Sequence, residues 1–221
     1  LAELFKNIKS RWGLVRKRDR RPKGGAWRVR EYFDGIAERY SKIFSFGILN
    51  SIRRREMESV FRMLSPRPEE SILDAGCGIG HYSIPLKALG AKVVGVDLSE
   101  RMARMASAGG VDVIVADLGS TPLKGGFNKI LCAGVLEFCE DPSAVIRNLS
   151  LNLKRGGHLV FLIPKRSPIG ILYKLYHLSH GIRVRLFSMR EFLDLLEGAG
   201  LRPISAEEPT WMSLVIKCAK M

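Results

Sequence analysis

The chain holds 221 residues, 46% of them hydrophobic, and carries a formal net charge of +14. That length suits one α/β domain with a short appended segment, and the mean hydropathy of +0.02 is ordinary for a soluble domain with a sizeable core. No apolar run approaches the ~20 residues that span a bilayer. Nor does the N-terminus carry the apolar block and small-residue site of a secretory signal, so a cytoplasmic location is expected, with peripheral membrane attachment left open. The chain begins with Leu1, which fits an alternative start, a processed chain or a fragment. Cys77, Cys132, Cys139 and Cys218 show neither CxxC spacing nor flanking histidines at ligand spacing, so reduced thiols without a structural metal are expected.

The charge is concentrated at the start. Eleven basic residues stand against two acidic ones in the first thirty, giving nine units of the net +14. Residues 1–26 read as a flexible basic arm whose partners would be polyanions, an anionic membrane surface ahead of nucleic acid, or as a plain solubilising tail. Residues 27–65 read as a helical cap, with Tyr32, Phe33, Ile36 and Tyr40 on one face. The main domain then spans 66–221.

From Ser71 onward, short apolar runs alternate with amphipathic stretches, the pattern of a parallel α/β sheet. Ser71–Asp74 predicts a strand and Gly80–Leu89 a helix stopped by Gly90. Lys92–Asp97 is the second strand, and Ser99 caps a helix over Glu100–Ala108 that Gly109 and Gly110 end. Val111–Ala116 and Lys129–Ala133 are the third and fourth strands. Pro142 opens a helix reaching about Leu153, and Gly156-Gly157 turns the chain into the strand His158–Ile163. An insertion over 164–187 follows; Ser188 then caps Met189–Gly198, and two strands close the chain near Leu201–Glu207 and Met212–Ala219. The last connection is too short for a crossover, so one edge strand must run antiparallel. The expected fold is a seven-stranded, mostly parallel sheet with one antiparallel edge strand and helices on both faces.

Asp74 precedes Gly76, Gly78 and Gly80, spaced GxGxG. A glycine turn between strand and helix lets backbone approach a ligand closely. The spacing differs from the GxGxxG that suits a pyrophosphate, and the Asp74 carboxylate would repel one. An ammonium with a nearby sulfonium would instead be attracted. Asp97 closes the adjacent strand, where a carboxylate can accept hydrogen bonds from a ribose diol. Asp117 is placed for an adenine amino group or serves as a turn cap. Leu98 or Met102 would pack on the base, although Met102 also suits a core position, and Leu118, next to Asp117, joins the cofactor set. Cys77, His81 and Ala133 complete the cofactor set, with His81 orienting the ligand's carboxylate end or capping the turn.

These residues carry a family resemblance. ILDAGCGIG, VVGVDLS and ADLGSTPL, with the strands around FNKILCAGVLEF and GGHLVFLIP, resemble the motifs of class I S-adenosylmethionine-dependent methyltransferases. YFDGIAERYS and LFSMREFLDLLEGAGL are similar to the ubiquinone/menaquinone-biosynthesis branch and its magnesium-protoporphyrin relatives. The likeness covers about 32–219. It implies a Rossmann-like fold, S-adenosylmethionine as methyl donor and methyltransferase activity, and says almost nothing about the acceptor. Two positions depart from the family pattern: Asn128 stands where Asp is usual, and Leu136-Glu137-Phe138 stand where many members carry a His.

In-line methyl transfer asks the protein for alignment and desolvation more than for a base. Tyr40, His177, His180 and Glu137 are candidates to assist an oxygen or nitrogen acceptor; the histidines also read as surface residues, and Glu137 as a surface or capping carboxylate. Within the insertion, Ile171, Leu172, Leu175, Tyr176 and Leu178, near Lys174, Arg183 and Arg185, suggest an amphipathic helix that lies on the sheet as a lid or meets a bilayer interface. Together with the cap it would enclose a mostly apolar chamber for a small acceptor such as a quinone precursor, lipid or tetrapyrrole. Two other readings compete: an RNA- or protein-modifying methyltransferase guided by the arm, and a non-catalytic protein that binds S-adenosylmethionine. Cys132-Ala133-Gly134-Val135 lacks the NPPY-type loop of base-amino methylation, and the intact acidic and glycine positions speak against the non-catalytic reading.

Overall fold

The computed structural model describes residues 25–43, 47–123 and 125–221. The arm expected over 1–26 lies outside them except for Gly25 and Ala26. Two helices, α1 (Ala26–Ile43) and α2 (Gly47–Leu64), precede the sheet. Then follow β1 (Ser71–Ala75), α3 (Ser83–Ala88), β2 (Lys92–Asp97), α4 (Glu100–Ala108), β3 (Asp112–Val115) and β4 (Phe127–Ala133). A 3₁₀ turn at Leu136–Phe138 leads to α5 (Pro142–Asn152), β5 (Leu153–Pro164), α6 (Pro168–Ser179), α7 (Met189–Glu197), β6 (Leu201–Thr210) and β7 (Ser213–Lys220).

The strands form one seven-stranded sheet in the order β3-β2-β1-β4-β5-β7-β6. Five pair in parallel, β7 runs antiparallel to β5, and β6 runs antiparallel to β7. The antiparallel member is therefore β7, one position in from the edge, and β6 is the edge strand. Pro203 sits in β6, where an edge strand tolerates a missing N–H donor.

Side chains alternate between the two faces with the period of two that strands impose. Leu73, Ile130, Leu159 and Phe161 pack toward one face with Val145, Ile146 and Leu149 of α5 and Phe192 and Leu196 of α7. Ile72, Leu131 and Val160 pack on the other with Val60, Met63 and Leu64 of α2 and Leu86 of α3. Asn128, the departure noted above, anchors the start of β1 through its amide oxygen, which accepts from the Ser71 N–H at 3.0 Å and the Ser71 hydroxyl at 2.6 Å. Those bonds need only an acceptor, which is why the amide replaces a carboxylate without disturbing the turn.

Among the boundaries that differ from the sequence reading, two have a cause visible in the backbone. Helix α3 begins at Ser83, not Gly80, because Gly80 has φ +90°, outside the right-handed helical region. Strand β5 starts at Leu153, before the glycines, with Leu153 paired to Phe127 and a register shift between Phe127 and Lys129. The sheet's winding direction reverses between β1 and β4, and ligands bind outside the carboxyl ends of strands at such a point.

Phe161 and Phe192 are fully buried and meet edge to face, with ring centroids 5.2 Å apart. Phe192→Ala should lower unfolding stability by about 3–5 kcal/mol in denaturant titration. A loss under ~1 kcal/mol would mean that α7 is not locked onto the sheet as described.

Candidate active site

A continuous cavity of about 1430 Å³ opens at the carboxyl ends of β1, β2 and β4 and runs beneath α1 and α2. A drug-sized ligand occupies a pocket of ~300–1,000 Å³, so the space suits two ligands side by side.

One end of the cavity is organised by Asp97. Its Oδ2 accepts from the Gly78 N–H at 2.7 Å and its Oδ1 from the Ser99 N–H at 2.8 Å. The two backbone bonds fix the carboxylate's orientation and leave further lone pairs for a ligand diol. Burial raises its pKa above the ordinary range, the backbone donors working against that rise. Gly76 and Gly78 hold φ of +81° and +53°. A Cβ on Gly76 would lie 2.1 Å from Val135 Cγ2, so the turn passes too close to the β4 loop for any side chain. Leu98, Met102 and Leu118 line the cavity as apolar walls, and Ala133 closes it at the end of β4. Asp117 lines it too, while also tying its own loop by accepting from the Gly119 N–H and the Ser120 hydroxyl, both at 2.9 Å. This arrangement fits S-adenosylmethionine: a glycine cradle, a preset carboxylate for a ribose, and an apolar slot for a base.

Two members of the expected set take other places. Asp74, expected to face the ligand, does not line the cavity. Its buried carboxylate accepts from the Ser83 hydroxyl, and burial pushes its pKa up to about 7. It ties the end of β1 to the first turn of α3. Gly80 also lies away from the cavity, packed so tightly that a Cβ would approach Ile84 at 2.9 Å and the Ala106 backbone at 3.3 Å. Both residues shape the turn. Cys77 lines the cavity, its sulfur seated over Gly95, where a Cβ would come within 2.7 Å of it. His81 lines the cavity with Nε2 buried and unbonded among the described residues. Burial, with Arg53 nearby, lowers its pKa to about 4, so the ring is neutral near pH 7.

The far end is the mostly apolar chamber expected, with charged groups added to it. Phe33, Tyr40, Phe138 and Tyr173 supply aromatic walls, but Arg53, Glu56 and Glu137 place charged groups among them. Glu137 is no surface carboxylate. It is 4% exposed, its Oε2 has no hydrogen-bond partner among the described residues, and burial pushes its pKa up to about 8. The Arg53 guanidinium stacks on the Tyr40 ring at 5.2 Å, and burial raises the Tyr40 hydroxyl's pKa. His177 and His180 do not line the cavity. His177 is packed among Tyr32, Phe138, Tyr173 and Tyr176, and His180 is exposed, its Nδ1 2.8 Å from the Tyr176 carbonyl.

Three contributors escaped the sequence reading. Asp34 of α1 accepts from the Ser99 hydroxyl at 2.6 Å and the Arg101 N–H at 3.0 Å, pinning the cap over α4. Arg53 and Glu56 sit in a run of charges that looks like a solvated face. Only the partner Ser99 cap would have marked Asp34, and only the cavity distinguishes Arg53 and Glu56 from Arg54 and Arg55.

Asp97→Ala removes the acceptor for two backbone donors and for the ribose. Calorimetry should show S-adenosylmethionine affinity falling about a hundredfold or more. Because the native carboxylate's pKa is raised, affinity of the unsubstituted protein should also decline on acidification, starting above the ordinary carboxylate range. Unchanged affinity in Asp97→Ala would remove Asp97 from the site.

A sequence profile described as a methyltransferase domain matches residues 49–206. An uncharacterised protein from Methanocaldococcus jannaschii is 31% identical over 180 residues, covering 80% of this chain and 83% of its own. A ubiquinone biosynthesis O-methyltransferase from Bordetella bronchiseptica is 26% identical over 197 residues, covering 82% and 80%. Among solved structures, magnesium protoporphyrin IX methyltransferase from Synechocystis with bound S-adenosylhomocysteine superposes with a TM-score of 0.74 at 22% identity, covering 90% of this chain and all of that one. That likeness is one of fold. With the profile spanning most of the sheet and both ends of the cavity, the chain belongs to the methyltransferase-domain family and is an S-adenosylmethionine-dependent methyltransferase.

Proposed function

We propose that this methyltransferase acts on an acidic hydroxyl of a small, planar, amphipathic acceptor, with Glu137 taking the hydroxyl proton. The observation that carries the reading is the buried Glu137 Oε2, unbonded among the described residues, in the wall of the cavity that also holds the nucleoside end. Leaving a polar group buried without a partner costs about 1–3 kcal/mol. A substrate hydroxyl donating to that oxygen would recover the cost, which supports placing the acceptor there.

Cofactor placement rests on Asp97, the Gly76–Gly78 backbone and the apolar walls at Leu98, Met102 and Leu118. When bound, S-adenosylmethionine supplies a methyl group on an already activated sulfonium. The chain's own residues do the rest. Phe33, Phe138 and Tyr173 offer faces on which a planar ring stacks and from which water is excluded. The ionised Glu137 carboxylate receives the proton as the acceptor oxygen gains its new bond to carbon. Neutral His81 adds no positive charge to the cavity wall that a sulfonium would face. Arg53 and Glu56 add a polar edge that distinguishes an amphipathic acceptor from a purely apolar one. The curated relatives named as O-methyltransferases support an oxygen acceptor. Quinone precursors, phenolic lipids and tetrapyrroles remain the acceptor classes of this reading. An RNA or protein acceptor has no comparable feature in the cavity to support it.

Glu137→Gln keeps the shape and removes the base. The expected kcat falls by about a hundredfold or more, with S-adenosylmethionine affinity unchanged. The native enzyme's activity should rise with pH to a plateau centred near the Glu137 pKa of about 8, since only the ionised form accepts the proton. That limb should vanish in Glu137→Gln. The assay is labelled-methyl transfer into a cell extract, partitioned among lipid, RNA and protein, and then repeated on the purified acceptor. Full activity in Glu137→Gln, or label entering only RNA or protein, would overturn the proposal.

A further inference from the structure

Helix α6 is built the wrong way round for a helix that only covers a sheet. Over Pro168–Ser179 it buries Gly170 and His177, with Tyr173 turned to the cavity wall on the same side. Positions 170, 173 and 177 follow the helical repeat of three and four. Close approach is enforced at Gly170, where a Cβ would lie 2.4 Å from the Lys165 carbonyl oxygen. The inward face is thus small and aromatic. The outward face carries Ile171, Leu172, Leu175, Tyr176 and Leu178, each at least half exposed, with Ile169 at the first turn 40% exposed. Scattered exposed apolar residues are normal on a protein surface, but a contiguous stripe marks an interaction site.

The charge around the stripe identifies what would cover it. Between Asp141 and Glu191 the chain has nine lysines and arginines and no acidic residue. Lys174 on the helix, and Arg183 and Arg185 just after it, are exposed and make no ion pair among the described residues. Helix α1 touches α6 through Tyr32, whose ring meets His177 and His180 at 5.6 and 6.0 Å. The N-terminal residues of the chain, with their excess of positive charge, join α1 at Gly25, roughly 10 Å along the helix axis from Tyr32. Leucines flanked by basic residues fit the boundary between acyl chains and anionic headgroups, and each basic residue near such a surface adds about 1 kcal/mol of attraction. A second copy of the same face would set Lys174, Arg183 and Arg185 against their own likes, which opposes a two-fold contact. Nucleic acid would use the charges and leave the leucines wet.

We propose that the outward face of α6, with Lys174, Arg183 and Arg185, docks this enzyme on an anionic lipid surface. The helix lies in the interface with Leu172 and Leu175 among the acyl chains, while its inner face keeps Tyr173 in the cavity wall. An acceptor dissolved in the lipid would then reach the aromatic chamber without crossing open water, a consequence that rests on the acceptor reading above. The docking itself does not depend on it.

The test uses the full chain with vesicles of phosphatidylcholine alone and of equal parts phosphatidylcholine and phosphatidylglycerol. Co-sedimentation should favour the anionic vesicles and weaken as salt rises. The double variant Leu172→Ser/Leu175→Ser should lose more than tenfold in partitioning, since each leucine withdrawn from water contributes about one factor of ten or more. Its thermal unfolding and S-adenosylmethionine binding should match those of the unsubstituted protein, because both side chains are exposed. Equal binding of the double variant would assign attachment to the basic arm and overturn the proposal. Absence of vesicle binding would overturn it too, as would a dimer that the double variant dissociates in a protein that ignores vesicles.

Discussion

The carboxylate of Asp97 is the constraint on which the site depends. It stands at the end of β2 and accepts one backbone donor from the glycine turn after β1 and one from the cap of α4. Two elements that pair with different neighbours are thereby locked to one charged group, and charge-assisted bonds of this kind are about twice as strong as neutral ones. Ser99 carries the connection outward. Its hydroxyl accepts from Met102 N–H at 3.1 Å and donates to Asp34, so the same cap that ends at Asp97 also holds α1 in place over the cavity. Asp74 plays the complementary part from beneath, binding the β1 end to α3 through Ser83. The glycine turn and the α1 cover therefore share one hydrogen-bonded frame.

The two ends of the cavity follow different physical rules. At the nucleoside end, polar groups are satisfied by backbone before a ligand arrives, so the shape is preset. At the acceptor end, burial leaves Glu137 and His81 each with an atom unbonded within the described residues, and shifts both toward their neutral forms. Such groups cost stability where they stand, and they are informative for that reason. The walls at Phe33, Tyr40, Arg53, Glu56 and Tyr173 belong to α1, α2 and α6, the helices packed outside the sheet.

Much of the donor end was legible in the sequence because local signals there are strong. β2 and α4 begin and end where the apolar run, the Ser99 cap and the paired glycines place them. Asp97, Asp117 and the glycine turn meet at one cavity because each follows or closes a strand at its carboxyl end, which the apolar runs mark. Asp74 was misplaced because sequence spacing shows which strand end a carboxylate occupies but not which way it turns. Gly80 extended the predicted helix because composition does not reveal a positive φ. Glu137 looked like a surface acid since nothing in Leu136-Glu137-Phe138 shows that Tyr40, Tyr173 and α6 close over it. His177 and His180 failed as cavity residues for the converse reason: helical phase places His177 inward, but against Tyr32 and Phe138 and not in open space.

One cavity runs from Asp97 at one end to Glu137 at the other, and the proposed reaction needs donor and acceptor to share it. A crystal structure with S-adenosylhomocysteine bound tests that claim most directly. It should show both ribose hydroxyls on the Asp97 carboxylate, the base between Leu98 and Leu118, and the thioether sulfur facing the open space beside Glu137. A nucleoside bound away from Asp97, or a sulfur walled off from Glu137 by protein, would contradict it.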